Sequence, residues 1–254
     1  MRRTASIGLV ATLGAASVAL ASSGTTTKPR TPSLAQAAAR TAQVRRQRYS
    51  LEITIVQDKT THIVRASSAV APGTVSVQLE LDAVTLPTGD IIPSSSTAGL
   101  IEGPFLYERA PDGLTIGGAN WVRLSIARIG STSLALRGMH GMTAMPLLHV
   151  LGEAHAYPMT RNASIFRGTV AYDDPIVVTA LQPLTVGLQF RDLRVAAWIG
   201  PGGLVRHVRL TGHTADRTTT LLVDAHLFGF GRPVQITPPA EGAFLDESLL
   251  RLRN

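Results

Sequence analysis

Apolar and polar residues alternate in short runs along most of this chain, and turn residues break the runs, which is the pattern of half-buried strands. The clearest stretch is Arg194 to Leu210, where two β-competent runs flank Pro201-Gly202-Gly203. Proline presets one turn dihedral and glycine accepts positive φ, so a β-hairpin is predicted. On its second arm strict alternation puts Leu204, Arg206, Val208 and Leu210 on one face and Val205, His207 and Arg209 on the other. A lone hairpin does not hold in water, so further strands and a cover for the apolar face must come from the rest of the chain.

Those strands are predicted over Tyr49 to Gln57, His62 to Val70, Val75 to Asp82, Leu100 to Arg109, Asn120 to Ile129, Ser164 to Tyr172, Val186 to Phe190 and Thr218 to Phe228. Pro87 to Ser96 reads as a loop rich in Pro, Gly and Ser, and Asp58-Lys59 and Asp173-Asp174-Pro175 as turns. Two stretches carry the helical period instead. Thr31 as N-cap and Pro32 at the first position introduce an Ala-rich helix from Ser33 to about Gln47. In Gly130 to Tyr157, Met139, Met142, Met145, Leu148 and Leu151 recur every three or four residues, and Pro146 opens a helix reaching about Ala154. Strands, a helical insertion and strands again make an α+β domain: a long antiparallel sheet with helices on one face. No repeat of fixed period is visible.

The N-terminus changes the picture. Met1-Arg2-Arg3, an apolar run to Ala21 and the small residues before Ser22 have the form of a secretory signal, giving a signal peptide over residues 1–21, a polar tether over 22–32, one domain over 33–246 and a tail over 247–254; the acidic pair Asp246-Glu247, at that boundary, reads as exposed. An uncleaved anchor is the lesser reading. Eight of the 24 basic residues (Arg2, Arg3, Lys28, Arg30, Arg40, Arg45, Arg46 and Arg48) precede the first acid, Glu52, leaving 16 basic against 17 acidic residues in the body. That balance does not favour a basic face for nucleic acid, whereas a basic N-terminal segment is either drawn to an anionic membrane surface or simply solvated.

Chemistry is hard to find. The chain has no cysteine, which removes disulfides, thiolate metal sites and cysteine catalysis. It has no phosphate-binding loop, no dinucleotide fingerprint and no Gly-x-Ser-x-Gly elbow. His140, His149 and His155 lack ligand spacing, so neither a metal nor a cofactor is expected. Asn162-Ala163-Ser164 is a formal glycosylation sequon. Apart from the initiator, the methionines lie between Met139 and Met159; they suit a surface that repacks around varied partners, or simple filling of gaps in a core.

Val195 to Leu210 resembles the strand-turn-strand of the LolA-like envelope lipoproteins, in particular the LppX/LprG branch typical of actinobacterial cell envelopes. Leu106-Tyr107-Glu108-Arg109, Asn120-Trp121-Val122-Arg123-Leu124, the segment Met145-Pro146-Leu147-Leu148-His149-Val150-Leu151 and the stretch Phe228 to Pro239 fall in matching order, so the resemblance covers about residues 33–246. Two departures stand out: Ser23 occupies the place of the lipid-bearing cysteine, and Met145 that of the acid before the helix proline. The resemblance implies a strongly curved antiparallel β half-barrel with helices covering its concave face and an apolar cavity for acyl chains. The expected lining is Met139, Met142, Met145, Leu147, Leu148 and Leu151 from the helical lid and Ile53, Ile55, Val77 and Leu79 from the strands. It implies an exported, non-catalytic, monomeric lipid-binding or carrier protein of the cell envelope, whose partners are acyl chains of a lipid or lipoglycan and the membrane surface. A protein-interaction or stress-sensing module on the same fold is the alternative.

Overall fold

The computed structural model describes residues 33–57, 60–85, 91–111, 114–130, 134–160, 164–173, 177–178 and 190–247. The signal, the tether, Thr31-Pro32, Asp58-Lys59, Asn162, Val186 and the tail beyond Glu247 therefore lie outside the described residues.

Helix α1 (Leu34–Ala42) starts at Ser33, whose side chain accepts from the Gln36 amide while Gln36 Oε1 accepts from the Ser33 amide, a reciprocal capping box. It ends before the expected Gln47, because the alternation of the first strand already begins there. Strands β1 (Gln47–Gln57), β2 (Thr60–Ala71) and β3 (Thr74–Leu81) form a meander, and β4 (Val84–Thr85) and β5 (Ile91–Ile92) pair as a small separate ribbon. The single strand expected over Leu100 to Arg109 is two, β6 (Ser95–Glu102) and β7 (Phe105–Arg109). Gly103, at φ +54°, and Pro104 make a two-residue turn that an apolar count slides over. Strand β8 (Trp121–Ser125) passes at once into a single helical turn, α2 (Ile126–Ile129), so the strand expected to reach Ile129 is halved.

The helical insertion is α3 (Leu134–Gly141) and α4 (Met145–Gly152), the latter opened by Pro146. Strands β9 (His155–Pro158), β10 (Ile165–Val170), β11 (Phe190–Ile199), β12 (Val205–Thr214), β13 (Thr219–Phe228) and β14 (Phe244–Asp246) complete the chain. Asp246 and Glu247 do not belong to an exposed tail. Strand β14 pairs in parallel with β8, Asp246 holds Arg123, and Arg123 lies between the rings of Phe105 and Phe244.

The main sheet has twelve strands in the order β14-β8-β7-β6-β3-β2-β1-β13-β12-β11-β10-β9. Among the described residues it is antiparallel apart from β14, and it is open, with β14 and β9 at its edges. The expected strongly curved half-barrel is thus corrected to a large open sheet, neither closed nor strongly curled, in an α+β architecture. Strong curvature needs bulges and glycine kinks placed through a sheet. Here the register between β1 and β2, β2 and β3, β3 and β6, and β1 and β13 runs without a break, and shifts occur between β11 and β12.

One of those shifts reverses part of the hairpin reading. Trp198 pairs with His207 and Ile199 with Val205, leaving Arg206 as the extra residue of a bulge. Val205 consequently turns inward beside Val208 and Leu210 and is fully buried. Its amide donates to Thr41 Oγ1 at 2.9 Å, and Arg40 donates to the Gly202 carbonyl at 3.0 Å, so α1 is tied to the hairpin turn.

Alternation divides the sheet into a covered face and an open face. Tyr49, Leu51, Ile53, Leu221, Val223, Ala225, Val208, Leu210 and Val195 face inward with Leu34, Ala37 and Ala38 of α1 and Leu147, Leu148, Val150 and Leu151 of α4. A second, smaller cluster joins Val77 and Leu106 to Met139 of α3. Leu79 and Met142 pack against both clusters.

Candidate functional site

The two apolar clusters meet beneath α3 along a single row of the sheet. Tyr49 of β1 stands opposite Ser68 of β2, Ser68 opposite Val77 of β3, Val77 opposite Gly99 of β6, and Gly99 opposite Glu108 of β7. Directly opposed side chains on one face lie about 5 Å apart, so the row places two hydroxyls and a carboxyl within an otherwise aliphatic layer. Tyr49 is 1% exposed and Ser68 5%. Neither Tyr49 Oη nor Ser68 Oγ has a hydrogen-bond partner among the described residues, and the same holds for Gln47 Oε1 at the start of β1. Buried hydroxyls are normally satisfied, because leaving one unpaired costs about 1–3 kcal/mol. Burial also pushes the Tyr49 phenol well above its usual range, so it stays a neutral donor, and it raises the half-buried Glu108 carboxyl above the ordinary carboxylate range.

Met139 reaches this row from above. A methyl group on Gly99 would collide with the Met139 sulfur and its terminal methyl, so the missing side chain of Gly99 is what lets the thioether lie on β6. Met142 borders both clusters from the turn after α3.

Of the residues expected to line a cavity, four come together at this seam: Val77, Leu79, Met139 and Met142. Leu147, Leu148, Leu151 and Ile53 are fully buried in the main cluster, with Ile55 and Met145 packed against it. Sequence reasoning missed Tyr49, Ser68, Gly99 and Glu108. The parity that put Leu51 and Ile53 inward puts Tyr49 there too, so that signal was available; the Gly99 contact required the fold.

The open face carries a separate polar cluster. Trp198, His207 and His226 stack in sequence across β11, β12 and β13, with centroids 4.2 Å apart at each step and interplanar angles of 19° and 9°. Both imidazoles meet Asp224 Oδ1 through Nε2, His207 at 2.8 Å and His226 at 3.2 Å, while Arg209 donates to Oδ2 at 2.9 and 2.6 Å. Burial pushes the Asp224 carboxyl upward, but hydrogen bonds and charge from Arg209 and His207 outweigh it, holding the group below the usual carboxylate range. His207, Asp224 and His226 form a trio within ligand reach of one another. Their polar atoms are already engaged with one another: both imidazoles meet Asp224 Oδ1, and the Arg209 guanidinium occupies Oδ2. Asp224 holds Arg209, and His207 stacks between Trp198 and His226.

No described helix is long and apolar enough to cross a membrane. No protein-family model matches the chain, and no curated protein does. Among solved structures, the chain is similar to a domain described as an outer membrane lipoprotein-sorting protein from Vibrio parahaemolyticus, at 8% identity and a TM-score of 0.26, over 80% of this chain and 92% of that one. It is also similar to a DUF1329 family protein from Desulfovibrio piger ATCC 29098, at 7% identity and a TM-score of 0.28, over the same shares. Both likenesses are weak and single out neither a fold family nor the LppX/LprG branch.

Proposed function

We propose that this chain is a non-catalytic lipid-binding or carrier protein, exported by its N-terminal segment, that takes acyl chains into the seam between the sheet and α3. The observation that supports it is the row Tyr49, Ser68, Val77 and Gly99, where two buried hydroxyls without described partners lie at the junction of two apolar clusters beneath Met139. Small-molecule sites of this class are apolar with a few polar anchors, and the two hydroxyls suit the ester or hydroxyl groups near a lipid's head. Methionine makes the cover adaptable, since its thioether repacks at little cost. Each methylene taken from water contributes about 0.8 kcal/mol, so an acyl chain binds tightly without any catalytic group.

The test is native mass spectrometry of the protein purified from an envelope-bearing host, with the extracted lipids identified. The expected result is bound acyl lipid in the parent protein, loss of it in Met142→Asp, and an altered lipid class in Tyr49→Phe/Ser68→Ala. Met142 is partly buried and accepts the change, whereas Leu148, at 3% exposed in the main core, would cost the fold itself. Absence of lipid from the parent, or occupancy unchanged in both variants, overturns the reading. A membrane protein captured with no lipid present would instead support an interaction module.

A further inference from the structure

Between β9 and β12 the open face holds a groove of about 650 Å³ with Ala196 at its floor. Four large side chains surround that methyl group by register alone. Arg194 and Trp198 flank Ala196 two residues away along β11, and Arg167 of β10 and Arg209 of β12 stand directly opposite it on either side. Tyr157 of β9, opposite Arg167, closes the outer end. Gly168 lets β9 run this close, because a Cβ there would collide with the His155 carbonyl.

Three arginines thus line the groove around one small residue. Arg209 is neutralised and oriented by Asp224, but Arg167 and Arg194 have no ion pair with a described carboxylate. The other half of the open face is organised differently: Arg65 is held by Glu52 at 3.0 Å and by Asp82 at 2.6 Å. Like charges gathered on neighbouring strands repel unless an anion joins them. The guanidinium fork matches the oxygens of a phosphoryl group, two at a time, and Trp198 and Tyr157 supply flat walls for the polyol or sugar that carries it.

We propose that this groove binds a phosphoryl group on a small polyol, through Arg167 and Arg194, with Arg209 as the fixed third donor and Trp198 as a wall. The groove opens on the face away from the helices, so it does not depend on the acyl-chain reading and takes its ligand separately. The same phosphoryl chemistry is offered by a free ester and by a lipid headgroup at a membrane surface.

The experiment uses the protein with Trp121→Phe, which leaves Trp198 as the sole tryptophan. Glycerol 3-phosphate and inorganic phosphate are titrated by fluorescence and calorimetry, and vesicles of phosphatidylcholine with or without phosphatidylglycerol are tested by flotation. Saturable binding of glycerol 3-phosphate supports a site for a soluble ester. Retention by phosphatidylglycerol vesicles alone supports a headgroup site. In either case Arg167→Gln/Arg194→Gln weakens binding by about tenfold or more, and added salt weakens it further. Arg45→Gln/Arg46→Gln, which removes equal charge outside the groove, leaves the soluble titration unchanged. The proposal is overturned if no phosphoryl probe binds, if the groove variant binds as well as the parent, if the Arg45/Arg46 variant loses as much soluble binding, or if a single-stranded oligonucleotide binds where the phosphoryl probes do not.

Discussion

Glu108 shows how one residue links the seam to conditions in solution. Its carboxyl is raised by burial, so folding favours the protonated form. For a raised carboxyl, the stability it contributes is fully present below the unfolded value of about 4.3 and is lost as pH rises through the folded value. Glu108→Gln removes that loss. Melting curves of parent and variant across pH should therefore converge in acid and separate toward neutrality, with the variant the more stable; parallel curves would show that Glu108 is solvated. Asp224 has the opposite sign, since its lowered carboxyl contributes stability above the unfolded value and loses it as pH falls through the folded one. At this scale the sequence was only partly legible. The inward parity of Tyr49 and Ser68 is written in β1 and β2, but the absence of described partners for their hydroxyls depends on which strand and which helix face them. His207, Asp224 and His226 looked unremarkable because their meeting comes from the register between β12 and β13, which no local spacing encodes.

Among the elements, α3 and α4 divide the work that the helical period of Gly130 to Tyr157 suggested. Helix α4 is core: Leu147, Leu148, Val150 and Leu151 are all buried, and the helix packs with α1. Helix α3 touches the sheet through Met139 on Gly99. A β-branched residue at Gly99 fits a strand but takes the space of the thioether. Gly99→Val is expected to leave the melting temperature within a few degrees of the parent, because the displaced group is the flexible end of a methionine, while lowering the lipid retained on purification. A large fall in stability with unchanged lipid would make Met139 ordinary packing. The hairpin was the most legible element and still hid its bulge, since the inward turn of Val205 is set by the Arg206 insertion and by the hydrogen bond to Thr41. Short turns were the other blind spot: Gly103-Pro104 separates β6 from β7 inside one apolar run.

For the whole molecule, the antiparallel meander and the helices on one face followed from binary patterning, whereas the shape of the sheet did not. Alternation states which side of a strand is buried and is silent on curvature, so the half-barrel borrowed from a resemblance had no residue-level support to resist the open arrangement. An open sheet must manage two edges. One is β14, seated by Arg123 between Phe105 and Phe244 and held by Asp246. Ending the chain after Glu241 would uncover β8 and release Arg123. Light scattering should then show concentration-dependent association of the shortened protein where the parent stays dispersed, with Asp246→Asn intermediate; a dispersed truncation would show that β8 needs no cover.

The centre of the sheet has a consequence in time. Strand β1 sits between β2, its immediate successor, and β13, which the ribosome makes much later: Arg48 faces Phe228. One side of β1's backbone hydrogen bonds therefore waits for β13 to emerge, and closing that pair sets a long entropic hurdle before any contact rewards it. The nascent chain would carry an apolar strand with an open side through most of its synthesis, so a holding chaperone, or the confinement of an export channel, would be needed until β13 arrives. Refolding from denaturant should accordingly be slow, and a circular permutant that places β13 directly before β1 should refold faster while keeping the same final register.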